Sequence, residues 1–204
     1  DHEGLPIKRK ALIFLIILIQ REEINIKTRK VVYMAVLVAL GIVIPMAFHY
    51  LGTGLGSIFL PMHLPVFLGG VLLGPGAGLI VGIITPLLNS VLTGMPPLIP
   101  MLPIMTVELA VYGLVLGYFF KRLQVNIYLS LIITMLMGRI GAGLVVWIIV
   151  HGFGFARLPS NPFIYIWGTI TTGLPGIIIQ LVLIPFILNY LKSSGKVGLV
   201  RNNV

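Results

Sequence analysis

The chain is divided into long apolar runs that contain almost no charged residues, and this pattern constrains the fold more than any other feature. Hydrophobic residues make up 58% of the 204 positions and charged residues only 9%, whereas a soluble domain carries about 25% charged residues. A soluble protein of this size cannot cover its surface with so few charges. The runs are also longer than the alternating segments of about ten residues that form membrane β-barrels. The pattern therefore predicts an all-α protein embedded in a bilayer.

Six apolar runs, separated by turn signals, predict a bundle of six transmembrane helices. Gly- and Pro-rich stretches or cations bound each run, and both kinds of boundary are typical of helix ends. The predicted spans cover residues 31–50, 61–74, 77–93, 104–120, 127–152 and 163–191. The breaks after the first and third runs are Gly-rich at 51–60 and rich in Pro and Met at 95–103. We expect the first break to form a flexible lid over a cavity and the second a stiff wall.

The positions of the cations predict the orientation of the bundle. Twelve of the fourteen Lys and Arg residues lie before the first run, between the fourth and fifth runs, or after the sixth. These segments share one side of a six-span bundle, whereas Arg157 lies on the opposite side and Arg139 lies within a span. Because Lys and Arg concentrate on the cytoplasmic side of membrane proteins, both termini are predicted to be cytoplasmic. The net charge of +9 then needs no nucleic acid to explain it.

Composition divides the chain into three parts. Residues 1–27 are interpreted as a cytoplasmic or interfacial N-terminal extension, or as a gene-prediction artefact. Its apolar segment, residues 11–19, would extend only about 13 Å as a helix, which is too short to cross a hydrocarbon core of about 30 Å. Residues 28–192 form the predicted transmembrane domain, and residues 193–204 form a cytoplasmic tail.

Only a few strongly polar residues lie within the predicted spans. A charge at the bilayer centre costs about 2.5–3.5 kcal/mol on insertion scales, so such residues should face the bundle interior. Most lie toward the side predicted to be extracellular, and the opposite half is almost wholly apolar. The set comprises His63, Asn89, Glu108, Arg139, His151 and Gln180. This asymmetry predicts a pocket that opens to the outside and is sealed below.

Three questions about these residues and Trp147 remain open from the sequence. Glu108 and Arg139 either form a structural ion pair, or Arg139 is free to bind a carboxylate or phosphate of a ligand. The histidines at 63 and 151 either line the pocket or are ordinary interfacial residues. Trp147, two helical turns beyond Arg139, either stacks on a flat ligand or marks the membrane interface.

Small residues at four-residue spacing predict close helix packing. The pair Gly113 and Gly117 in the fourth span is interpreted as internal packing. The pair Ala35 and Ala39 in the first span fits either internal packing or contact with another protein.

Several short stretches, in this order, are similar to S components, the substrate-binding subunits of energy-coupling factor (ECF) vitamin transporters. The resemblance covers about residues 28–192 and includes both the six short spans and the Ala35/Ala39 face. The stretches are FLPMHLPV at 59–66, LGPGAG at 73–78, TPLL at 85–88, LTGMPP at 92–97 and ELA at 108–110. The resemblance rests on the ordered combination of these stretches rather than on the alanine pair alone.

The resemblance implies a protein of the bacterial plasma membrane that binds a vitamin or vitamin precursor from outside. It implies association with a transmembrane coupling subunit, contacted by Ala35 and Ala39, and with two ATP-binding subunits. It implies no catalysis, cofactor or metal. The ligand would be held mainly by residues of the fourth to sixth spans, with two more near the rim. These residues are Glu108, Arg139, Trp147, His151 and Thr169, with His63 and Asn89 at the rim.

The sequence leaves the substrate open between a pantothenate-like acid, a pyrimidine and a pyridoxine-like compound. It also leaves open a stand-alone secondary transporter that uses Glu108 for proton coupling. The sequence gives little support to the hypothesis of an intramembrane enzyme, because it has no His-Glu-x-x-His pair, no Cys and no Gly-x-Ser-x-Gly turn.

Overall fold

The computed structural model describes the backbone of residues 7–52, 54–154, 158–159 and 161–194. Side chains are described from residue 27 onward within these ranges, except those of residues 49 and 51. All regular secondary structure in this part of the chain is helical. The helices are α1 (Ile7–Leu51), α2 (Leu55–Phe59), α3 (His63–Leu68), α4 (Pro75–Thr93), α5 (Met101–Leu116), α6 (Ile127–Phe153) and α7 (Pro162–Ser193). Residues 1–6, Arg157 and most of the predicted tail lie outside the described residues.

Within the described residues, six helical segments are long and apolar enough to cross a membrane, which confirms the predicted all-α fold with six spans. Two of them continue beyond an α-helix into a π-helical turn, α3 at Gly69–Leu73 and α5 at Gly117–Arg122. The spans are Lys27–Phe48, Leu55–Leu73, Pro75–Thr93, Met101–Arg122, Ile127–Phe153 and Pro162–Ser193. The cytoplasmic placement of the termini stays a prediction.

The chain divides into two compact units, residues 1–33 and residues 34–204. The first unit contains the N-terminal part of α1. The second contains the remainder of α1 and all the other helices, and it holds the candidate site. The sequence-based boundaries at residues 27 and 192 stay predictions.

The Gly-rich stretch at 51–60 is only partly a loop, because α2 occupies Leu55–Phe59. Helix α7 fixes this segment, since a Cβ added at Gly176 would lie 2.7 Å from the backbone of Phe59. Leu60 then breaks the helix with a φ of 52°, and its carbonyl accepts a hydrogen bond from Gln180 Nε2 at 3.1 Å. The stretch is therefore not a loop throughout, because a distant helix contacts its second half, and its action as a flexible lid stays a prediction.

A seam of glycines joins α4 to α5 and confirms the internal packing predicted for Gly113 and Gly117. A Cβ added at Gly113 would overlap the backbone of Gly78, and one added at Gly117 would lie 2.5 Å from Pro75. Where two helix backbones approach this closely, no space remains between them for a side chain. The seam fixes the position of α5, and with it the position of Glu108.

Replacing Gly113 by alanine is expected to lower the free energy of unfolding by about 1–3 kcal/mol, because the added methyl group must push two backbones apart. Thermal unfolding of the purified protein in detergent measures the change. Gly76→Ala is the matched control in α4, since no atom lies within 4 Å of its added Cβ. Equal stability of the two variants would contradict this account of the seam.

Candidate functional site

A cavity of about 680 Å³ lies in the second unit, where the break between α2 and α3, the loop before α5 and the start of α7 meet. This volume is typical of small-molecule sites. Proline and methionine side chains form much of its apolar wall. Its polar lining consists of Ser57, His63, Asn89, Glu108, Arg139, Tyr165, Thr169 and Thr172. The cavity therefore combines a large apolar surface with a few convergent polar groups.

A buried ion pair forms one side of the cavity. Arg139 Nη1 lies 2.7 Å from Glu108 Oε1, and the Tyr112 hydroxyl donates to the same oxygen at 2.8 Å. Glu108 is 4% exposed and Arg139 is 6% exposed. Charge-assisted bonds of this length are strong in surroundings of low polarity. The structure thus answers the first open question, because the two residues pair with each other and also line the cavity.

The local sequence explains how this pair is positioned. Glu108 and Tyr112 are four residues apart on α5 and therefore share one face of the helix. The Tyr112 ring packs directly on Gly138 of α6, where an added Cβ would overlap it, and Arg139 is the next residue. On α7, a Cβ added at Gly173 would lie 3.4 Å from Arg139 Nη2. Small residues on two helices thus make room for the tyrosine and the guanidinium.

His63 lies beside the ion pair at the start of α3. Its Nε2 is 3.9 Å from Glu108 Oε1, which is too long for a hydrogen bond. Its ring packs near Tyr112, with centroids 5.2 Å apart. Neither ring nitrogen has a hydrogen-bond partner among the described residues, although both are buried. Buried polar atoms nearly always have a partner, so His63 is a candidate for binding a ligand or an ordered water.

The end of α4 tethers the loop that closes one side of the cavity. Ser90 Oγ donates to the Pro96 carbonyl at 2.7 Å, and Thr93 Oγ1 accepts from the Met95 amide at 3.2 Å. The stretch at 95–103 lines the cavity as the predicted wall, although α5 already begins at Met101. The loop is thus fixed by side-chain bonds within a few residues of Asn89.

Ser90→Ala is expected to weaken ligand binding about threefold to tenfold, because one net hydrogen bond contributes about 0.5–1.5 kcal/mol. Titration of the purified protein with its ligand measures the change. The matched control is Ser193→Ala, which also removes a bond from a serine hydroxyl to a backbone carbonyl. A loss of affinity in both variants, or in neither, would contradict the tethering role.

The structure brings together five of the seven residues predicted to bind the substrate. These are His63, Asn89, Glu108, Arg139 and Thr169. Trp147 and His151 do not line the cavity. Trp147 is 49% exposed and stacks on His151 with ring centroids 5.2 Å apart. Their predicted role in binding stays a prediction.

The sequence did not single out several residues that the structure places at the site. Tyr112 is the most important, and its spacing of four residues from Glu108 was a usable signal. Tyr165 lines the cavity one helical turn before Thr169 and was hidden within an apolar run. Leu60 closes the cavity at a backbone break that only the tertiary structure reveals.

A smaller crevice of about 180 Å³ lies between α6 and α7. It shares Leu60, His63 and Arg139 with the main cavity, and Gln180 lies at its edge. Its remaining walls are almost entirely aliphatic. Arg139 thus lies between the main cavity and this apolar crevice.

The comparisons with known proteins agree with this architecture. A family model described as the substrate-specific component of ECF transporters matches residues 29–188, which include every residue that lines the cavity. The searches of curated proteins and of solved structures each find no match. Six membrane-spanning helices and a matched segment covering most of the chain lead to one conclusion: the chain belongs to the family of substrate-specific components of ECF transporters.

Proposed function

We propose that this protein captures a vitamin or vitamin precursor from outside the cell and delivers it through an ECF-type importer. The observation that carries the proposal is the cavity of about 680 Å³, with the buried pair Glu108 and Arg139 on one side. His63, Asn89 and Thr169 complete the proposed site. The substrate is a pantothenate-like acid, a pyrimidine or a pyridoxine-like compound. No step of this function is catalytic, so the protein is proposed not to be an enzyme.

The charge distribution supports an extracellular opening. The cavity is lined by the loops after the first and third spans and by the start of the sixth. Lys121 and Arg122, which end the fourth span, belong to the opposite end of the bundle. Since cations favour the cytoplasmic side, the cavity would face outward in a bacterial plasma membrane.

The exposed face of α1 supports docking to a coupling subunit. Ala35 and Ala39 are both exposed, whereas Leu37 and Val38 are buried against the rest of the second unit. A flat strip of small residues lets another helix approach closely. Two ATP-binding subunits would complete the transporter.

Reconstitution in liposomes tests the proposal. The purified protein alone is expected to bind its substrate tightly but to transport none. Adding a coupling subunit and two ATP-binding subunits should give uptake that depends on ATP. Mass spectrometry of the small molecules that co-purify identifies the substrate. Uptake by the protein alone, lost when the proton gradient is dissipated, would instead establish the stand-alone transporter coupled through Glu108.

A further inference from the structure

We infer that the cavity selects a ligand without net charge, which presents a hydrogen-bond donor beside an acceptor to Glu108 and Arg139. This inference rests on the proposed function and narrows its substrate class. It favours a neutral nitrogen heterocycle, such as an aminopyrimidine or a hydroxypyridine, over a carboxylate or phosphate.

The first argument is the charge of the lining. Glu108 and Arg139 are the two formally charged side chains among the described residues that line the cavity, and they cancel. Burying an additional anion beside a neutralised pair carries a large desolvation penalty, and the described part of the lining contains no further Lys or Arg to offset it. Transferring a neutral ring with a few polar groups carries a much smaller penalty. The lining therefore disfavours the acidic substrate that an unpaired Arg139 would have bound.

The second argument is the way in which the ion pair is bonded. The contacts of Arg139, Tyr112 and His63 with Glu108 all end on one oxygen, Oε1. A carboxylate has lone pairs for several hydrogen bonds and a guanidinium has five N–H donors, so the pair can still accept one bond from a ligand and donate another. An exocyclic N–H next to a ring nitrogen matches this donor and acceptor arrangement.

The third argument comes from the surroundings of the pair. The buried imidazole of His63 has both nitrogens without a partner among the described residues, and one of them can donate or accept according to its tautomer. The cavity walls also contain Met62, Met101 and Met105, whose sulfur atoms pack well against aromatic rings. A flat ring with polar groups on one edge can form a hydrogen bond with His63 and pack against the methionine side chains.

Affinity measurements on matched compounds test the inference. The neutral probes are nicotinamide, pyridoxine, panthenol and 4-amino-5-hydroxymethyl-2-methylpyrimidine. The anionic counterparts of the first three are nicotinate, 4-pyridoxate and pantothenate. Thermal shift and titration of the wild-type protein should show binding of one or more neutral probes, with any anionic counterpart at least tenfold weaker. Tighter binding of an anion, equal affinities within a pair, or no binding by any compound would overturn the inference.

A charge-altering variant sharpens the test. Glu108→Gln removes the negative charge and leaves Arg139 unpaired, so the ratio of anion to neutral affinity should rise at least tenfold. If this variant does not fold, the double variant Glu108→Gln/Arg139→Gln restores neutrality and should still reject anions. An unchanged ratio in the single variant, or preference for anions in the double variant, would contradict the inference.

These outcomes separate the inference from the proposed function. Uptake of an anion that requires the coupling subunit and ATP would contradict the inference but support the proposed function. Binding of a neutral heterocycle whose uptake needs no partner subunits would support the inference but contradict the proposed function.

Discussion

Arg139→Ala is expected to lower the free energy of unfolding by about 3–5 kcal/mol, because it leaves the Glu108 carboxylate buried without its counter-charge. Ligand binding should weaken at least tenfold, or about 1.4 kcal/mol, since the guanidinium lines the cavity. Denaturant or thermal unfolding in detergent measures the first effect, and ligand titration at a temperature where the variant is folded measures the second.

The double variant Arg139→Ala/Glu108→Ala is the informative control. Removing both charges leaves no buried ion, so part of the lost stability should return while binding remains weak. If the single variant loses less than about 1 kcal/mol, the carboxylate has another partner and the ion pair is not the structural centre of the site. If binding survives in the double variant, the ligand is held elsewhere.

Ala39→Trp is expected to reduce uptake by the complete transporter to background while leaving ligand binding within about twofold of wild type. A large side chain on the exposed strip of α1 prevents close approach of a partner helix. Ala39 is exposed and does not line the cavity, so binding by the isolated protein should be unaffected. Pull-down of the coupling subunit and uptake in liposomes measure the two effects.

Leu144→Trp is the matched control, since this residue on α6 is 58% exposed and does not line the cavity. The substitution also places a tryptophan at an exposed position of a helix, and the variant should retain both binding and uptake. Equal loss of binding and uptake in Ala39→Trp would show that α1 supports the cavity rather than a partner. Loss of uptake in Leu144→Trp would show that the docking surface extends to α6.

The six spans could be predicted because each depends on local composition. Long apolar runs and their Gly, Pro and cationic boundaries are visible within about twenty residues. The second span was predicted too short, because residues 55–59 contain a glycine and follow a Gly-rich break. Their helicity depends on α7, which lies more than a hundred residues away in the sequence. A local pattern carries no information about that contact.

The candidate site was only partly predictable for the same reason. Scarce polar residues in apolar spans identified Glu108, Arg139 and His63, since lipid tolerates such residues only when they face inward. Trp147 was considered as a residue that could stack on a ligand, and the resemblance assigned it to the site. Eight residues at 100° each rotate its side chain by about 80° from that of Arg139, and it does not line the cavity. Its role in binding stays a prediction.

The partner of Glu108 was left open by the sequence because it depends on two helix contacts. Arg139 reaches Glu108 only because Gly138 admits the Tyr112 ring and Gly173 leaves room near the guanidinium. Both glycines occur in runs where many others are present, so nothing in the sequence distinguishes them. The side-chain geometry was needed to show that the charges meet.

The four methionines of the cavity wall suggest how such a protein tolerates variety in what it carries. Met62, Met95, Met101 and Met105 are unbranched side chains that change shape with little strain, whereas Glu108 is held by buried bonds from Arg139 and the Tyr112 hydroxyl. The polar groups of a ligand would then meet a fixed ion pair, and its apolar part would meet methionine side chains that can adjust their shape. Under the proposed function, substrate mimics that keep the polar groups and enlarge the apolar part are therefore expected to bind as well.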